Sequence, residues 1–252
     1  MFKKIKTLRC KAVHVAFAVL LFGPSHASWA QPWVSFDDNT RYMALGDSLS
    51  ASFAAKPVTQ GFTFRLYQSG VIDNLNNLLF CASAVPNATS ADVLNYQVPQ
   101  ANLFFQNTGK SYKKVITLTV GGKDALSVVG PSGDINFAAI PGMIASYSSN
   151  LAAILGSLVA PGDVRVYVGN LYDPKLGLAG EEQLIATMNQ ATAGVVSLFP
   201  GKVVLVDLYS AFLGKSGLLL IEKHGSGPDQ VHPTSAGYGV IASAFTEAIG
   251  AH

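Results

Sequence analysis

Cysteine and charge are both scarce: there are two cysteines in 252 residues, Cys10 and Cys81, and 13% of the chain is charged. Only Cys81 lies beyond the first thirty residues. That leaves no internal pair, so the fold is expected to rest on its hydrophobic core, with Cys81 packed in an apolar stretch rather than acting as a reactive thiol. No Gly-x-Ser-x-Gly occurs, which sets aside the hydrolase fold built around that elbow. Gly214-Lys215-Ser216 has Tyr209 where a phosphate loop needs glycine, and Gly225-Ser226-Gly227 lacks the third glycine of a dinucleotide motif. Beyond residue 30 the only histidines are His224, His232 and His252, with no third ligand at metal-binding spacing, so no metal is expected.

The first thirty residues also lack any acid. Lys3, Lys4, Lys6, Arg9 and Lys11 precede an apolar run over residues 12–22, then Gly23 and Pro24, then small residues at Ala27 and Ala30. A basic start, a short apolar core and a small-x-small site are the marks of a secretory signal peptide, cleaved after Ala27 or Ala30. The run falls well short of the ~20 residues a spanning helix needs, so no stable membrane anchor is expected. Residues 31–252 then form a single domain, secreted or periplasmic, read as a monomer. Loss of the leader leaves twelve basic against fifteen acidic residues. That balance offers no basic surface for nucleic acid.

Short apolar runs recur at 42–45, 78–84, 115–120, 164–168 and 203–206, the last three rich in β-branched residues. They do not alternate with polar residues, as suits strands buried on both faces of a parallel sheet. Helical spacing of apolar residues covers 135–158, 181–198 and 235–249, the last entered through Pro233 and Thr234. Alternating strands and helices predict an α/β layer whose ligands collect beyond the C-terminal strand ends. The aromatic cluster Phe62, Phe64 and Tyr67 is read as core.

Gly46-Asp47-Ser48-Leu49 follows the first strand, placing the Ser48 hydroxyl at that edge, with the segment after it able to present a helix N-terminus. A serine needs a base to become a useful nucleophile. His232 stands in Asp229-Gln230-Val231-His232, just before the last helix, with an acid at a spacing that lets it hold one ring nitrogen while the other faces the serine. His224 has no acid at that spacing.

These two blocks, Gly46–Leu49 and Asp229 with His232, resemble those of the GDSL, or SGNH, esterases and lipases, and the resemblance runs from Tyr42 to the last helix. It implies a flavodoxin-like three-layer α/β/α sandwich with a mostly parallel central sheet. It implies Ser48 as nucleophile, His232 as general base and then acid, Asp229 as the orienting acid, and no cofactor. For the oxyanion hole it implies the Ser48 N–H, the N–H of the residue at Asn87, and the side chain at Lys123. Two of these depart from the family pattern. Asn87 stands where glycine is usual, but keeps its N–H and tolerates left-handed backbone. Lys123, in Gly121-Gly122-Lys123-Asp124, stands where asparagine is usual. Its ammonium could donate to the oxyanion, or could pair with Asp124 and leave the hole to backbone donors, with Asn170 as a substitute amide. The expected substrate is an acyl ester of a lipid or small alcohol. Acetylated polysaccharide, or ligand binding without turnover, stands as the alternative.

Overall fold

Five runs of aliphatic and β-branched residues pair in parallel, in the order β2-β1-β3-β4-β5. They are β1 (Thr40–Gly46), β2 (Leu78–Ala82), β3 (Lys114–Thr119), β4 (Val164–Gly169) and β5 (Val203–Val206). The computed structural model describes residues 39–106, 112–219, 223–224, 227–228 and 231–251. The expected signal peptide and Asp229 lie outside these residues.

Side chains of successive strand residues enter opposite faces of the sheet. Met43 and Leu45 of β1 join Ile116, Leu118, Val166 and Val168 on one face. Tyr42 and Ala44 join Val115, Tyr167 and Val206 on the other. Because both faces are apolar, helices must cover both, and the expected three-layer α/β/α sandwich follows. The first face is covered by α3 (Val98–Phe105), α5 (Ile140–Val159) and α6 (Glu181–Val196). The second is covered by α1 (Phe62–Ser69), α7 (Leu208–Phe212) and α8 (Ser235–Gly250).

The strand and helix bounds fall within a few residues of expectation, with one larger shift. The helix expected over 135–158 starts at Ile140, after a 3₁₀ turn at Phe137–Ala139, because Pro141 is suited to the first turn of a helix. By length and composition this apolar stretch could cross a membrane. Here it packs Tyr147, Leu151, Ile154, Leu155 and Leu158 into the core instead. Phe62 and Phe64 are core residues of α1, as read from the sequence. Cys81 is buried in β2, within the apolar stretch where the sequence places it.

The segment 90–105 carries no clear helical signal, yet it folds as α2 (Ser90–Asp92), a π turn (Val93–Gln97) and α3. Thr89 and Asp92 form a reciprocal capping box that starts it. The wider π turn carries Gln97, 2% exposed, toward the end of β1.

At that end β1 and β3 approach closely. Gly46 has φ 118, and a Cβ placed there would lie 1.8 Å from the carbonyl oxygen of Thr119. Both the backbone conformation and the space exclude a side chain. Gly46→Ala is therefore expected to lower stability by about 3 kcal/mol or more, as strain and overpacking add. The urea midpoint measures it, and a midpoint equal to wild type would refute this reading of the junction.

Candidate active site

β1 delivers the chain to the C-terminal edge of the sheet, where the backbone of Gly46 is gripped on both sides by one side chain. Gln97 Oε1 accepts from the Gly46 N–H at 2.7 Å, and Gln97 Nε2 donates to the Gly46 carbonyl at 2.8 Å. Asp47 continues the grip: its N–H donates to the Thr119 carbonyl at 2.9 Å. Its Oδ1 accepts from Thr119 Oγ1 at 2.8 Å and from the Leu49 N–H at 3.1 Å. Ser48 lies between these fixed points, so its side chain has one direction to leave the backbone.

The segment after Ser48 is a run of turns over 47–54, with Ser52 and Ala54 at positive φ, not the helix N-terminus that was expected. Asp47 accepts from the Leu49 N–H and the Ala51 N–H as a helix start would, but the left-handed backbone at Ser52 and Ala54 stops a helix from continuing.

His232 comes from the loop before α8, and its Nε2 lies 2.8 Å from Ser48 Oγ. The ring packs against Phe53, with centroids 4.7 Å apart. The Val231 carbonyl, one residue earlier, accepts from the Tyr172 hydroxyl. Tyr172 stacks on Phe212 at 4.4 Å, which tethers the histidine segment to the second face of the sandwich. The Ser48–His232 pair, 184 residues apart in sequence, is thus brought into hydrogen-bond contact. The role expected of Asp229 is not addressed by the described residues.

Asn87 has φ 65, in a turn led by Pro86 and closed by the Ala88 N–H on the Val85 carbonyl at 3.1 Å. Proline followed by a positive-φ residue suits a tight turn, and asparagine here does what glycine would do. Lys123 is exposed, in α4 (Gly122–Leu126), and it lines the same cavity as Ser48 and Asn87. It does not pair with Asp124. That carboxylate accepts instead from the Ser90 N–H at 2.9 Å and Ser90 Oγ at 2.6 Å. Asn170 is not available as a substitute amide either. Its Nδ2 donates to Asp207 Oδ1 at 2.9 Å, its Oδ1 accepts from the Tyr209 N–H at 2.9 Å, and it is absent from the cavity wall.

The cavity has a volume of about 400 Å³. Ser48 and His232 line it together with Asp47, Asn87, Lys123 and Glu181. Most of the remaining wall is aliphatic, with Leu126, Val129, Ile135, Leu178, Leu184 and Ile185. An apolar cleft of this size with a few convergent polar groups is the usual form of a small-molecule site. Among the described residues, no group of three or more His, Cys, Asp or Glu side chains is placed to hold a metal ion.

Sequence reasoning missed Gln97, Thr119, Tyr172, Glu181 and Asn189. Gln97, Thr119, Tyr172 and Asn189 bond groups distant in sequence, while Glu181 bonds nearby N–H groups of an irregular segment, and no local motif marks any of them.

Burial pushes the Asp47 carboxyl from 3.8 up to about 6, opposed by its bonds to Thr119 and Leu49 and helped by the charge of Asp124. Between these two values the folded chain holds a proton that the unfolded chain has released. The contribution of Asp47 to stability is therefore greatest below pH 4 and is lost as pH rises through about 6. Asp47→Asn keeps an acceptor for Thr119 but carries no charge. Its stability relative to wild type should rise by up to about 3 kcal/mol between pH 4 and pH 7 and then level off. Urea unfolding across that range tests this, and a difference independent of pH would count against the buried charge.

Solved structures of three other proteins share this fold. A lipase from a goat rumen metagenome superposes with a TM-score of 0.65 at 21% identity, over 83% of this chain and 97% of that one. A member of the lipolytic G-D-S-L family from Veillonella parvula gives 0.58 at 16%, over 82% and 97%. An acetylxylan esterase from Geobacillus stearothermophilus gives 0.54 at 14%, over 84% and 95%. At these identities the likeness is one of fold. No curated protein sequence matches the chain. Residues 42–245 match the family model of GDSL-like lipases and acylhydrolases, a span that holds Ser48, Asn87, Lys123 and His232 together, and the chain belongs to that family.

Proposed function

We propose that this protein is an exported carboxylester hydrolase that cleaves acyl esters of lipids or small alcohols through an acyl-enzyme on Ser48. The observation that carries the reading is the 2.8 Å contact of Ser48 Oγ with His232 Nε2 in the wall of a largely apolar cavity. His232 takes the hydroxyl proton as Ser48 Oγ attacks the ester carbonyl. It returns that proton to the departing alcohol, then activates water to release the acid. Asp229 is assigned the orienting role by its place three residues before His232. The oxyanion is held by the N–H groups of Ser48 and Asn87 and by the Lys123 ammonium, which lines the cavity and is not drawn away by Asp124.

The aliphatic wall favours an acyl chain over acetyl as the group bound on the far side of Ser48. Each methylene moved from water into such a wall is worth about 0.8 kcal/mol, or about fourfold in kcat/KM. With p-nitrophenyl esters, kcat/KM should climb by roughly that factor per methylene from acetate until the cavity is filled. Ser48→Ala should abolish the activity in a chain that still folds. Activity surviving in Ser48→Ala would remove the mechanism. A preference for acetate over all longer chains would favour the polysaccharide deacetylase reading. Binding of fatty acid with no turnover of any ester would favour a non-catalytic relative.

Lys123 makes a separate test. Lys123→Ala should lower kcat by tenfold or more with little change in KM, because the lost donor acts on charge that develops in the transition state. Lys123→Asn, which restores an amide donor, should retain or improve kcat. An unchanged kcat in Lys123→Ala would assign the lysine to local structure.

A further inference from the structure

Between β4 and α6 the chain crosses the mouth of the sheet as an irregular strap, and this strap supplies Leu171, Tyr172, Pro174, Leu176 and Leu178 to the cavity wall. Irregular backbone beside a ligand cavity is ordinarily mobile. This strap is tied down at both ends by side chains of a single helix.

At its start, Asn189 of α6 binds both backbone groups of Leu171: Oδ1 accepts from the Leu171 N–H at 2.8 Å, and Nδ2 donates to the Leu171 carbonyl at 2.8 Å. At its end, the carboxylate of Glu181 collects three successive N–H groups. Oε1 accepts from Leu176 at 2.8 Å, while Oε2 accepts from Gly177 at 2.8 Å and from Leu178 at 3.2 Å. Glu181 is 8% exposed, so this carboxylate is placed to serve the strap rather than solvent. Bonds to a charged acceptor are the stronger kind. Positions 181, 184, 185 and 189 share one face of a helix, since residues three and four apart are neighbours. The same face therefore offers Leu184 and Ile185 to the cavity and Glu181 and Asn189 to the strap.

We propose that Glu181 and Asn189 are specificity-determining positioning residues: by holding residues 171–178 as a fixed wall, they set which acyl chains the cavity accepts. Neither touches the reacting atoms. A held wall contacts the methylenes of a chain that fits and stops one that is too long. A released wall does neither well. The inference rests on the reading of the cavity as the acyl site.

The test is a p-nitrophenyl ester series from acetate to dodecanoate, with wild type, Glu181→Gln and Asn189→Ala. Glutamine puts an amide where a carboxylate oxygen accepts, and alanine removes both bonds to Leu171. In each variant the ratio of kcat/KM on the best wild-type ester to that on acetate should fall about tenfold. The kcat on acetate, the shortest chain, should fall by much less than that, and least in Glu181→Gln, whose anchor lies at the end of the strap away from Tyr172. Asn189→Asp, which keeps the acceptor for the Leu171 N–H, should fall between Asn189→Ala and wild type. An unchanged ratio in an active, folded variant would overturn the inference, as would an equal loss on every ester, which marks a merely structural role. The two anchors are independent, so either variant suffices if the other does not fold. Wild type inactive on every ester would instead overturn the ester-hydrolase reading, and this inference with it.

Discussion

The junction at the end of β1 is the constraint on which the rest of the site depends. Three unrelated segments meet at Gly46 and Asp47: the π turn through Gln97, the end of β3 through Thr119, and the turns that follow Ser48. Gln97 satisfies both backbone polar groups of Gly46 at a point where neighbouring strands can no longer do so in full. Thr119 is shared between Asp47 and Ser50, with its hydroxyl 2.9 Å from that of Ser50. A buried carboxyl sits inside this network, stabilised by hydrogen bonds yet raised in pKa by its removal from water. The arrangement sacrifices some stability at neutral pH to hold a serine in one orientation.

From that junction the layers follow. Both faces of the sheet are apolar, so helices cover both, and the C-terminal strand ends are left as the open edge. The loop before α8 brings His232 to this edge from one side, and the strap before α6 closes it from the other. Tyr172 belongs to the strap but bonds the residue before His232. One segment thus bears on both the shape of the cavity and the position of the histidine. A single piece of chain with two duties resists change at either.

Much of this was legible before any coordinates. The strands were marked by short apolar runs, since burial on both faces leaves no room for alternation. The Thr234 cap marked the start of α8, because it answers to local backbone chemistry, whereas the start of α5 beside Pro141 was expected five residues too early. Asn87 in a left-handed turn was foreseeable from its tolerance of that conformation. By contrast, the helical segment 90–105 was not anticipated. Its start is set by a capping box, but its course depends on packing against α5 and on the side chain that it must place at Gly46. Likewise the run after Ser48 looked able to start a helix. Only the left-handed backbone at Ser52 and Ala54, which no residue type there announces, shows why it turns instead.

What the sequence by itself determined was the class of fold and the serine and histidine that the fold brings into contact. Strand and helix periodicity are local, and a serine after a strand with a histidine before the last helix can be read from neighbours in the chain. What tertiary structure alone decided was the distance of 2.8 Å between that pair, the separation of Lys123 from Asp124, and the engagement of Asn170 elsewhere. It also decided the wall that Glu181 and Asn189 hold in place. Most of those outcomes depend on hydrogen bonds between residues distant in sequence, and even the short-range bonds of Glu181 need the strap to fold back onto α6. Such bonds depend on which groups the packed layers bring within reach of one another, and no spacing along the chain records that.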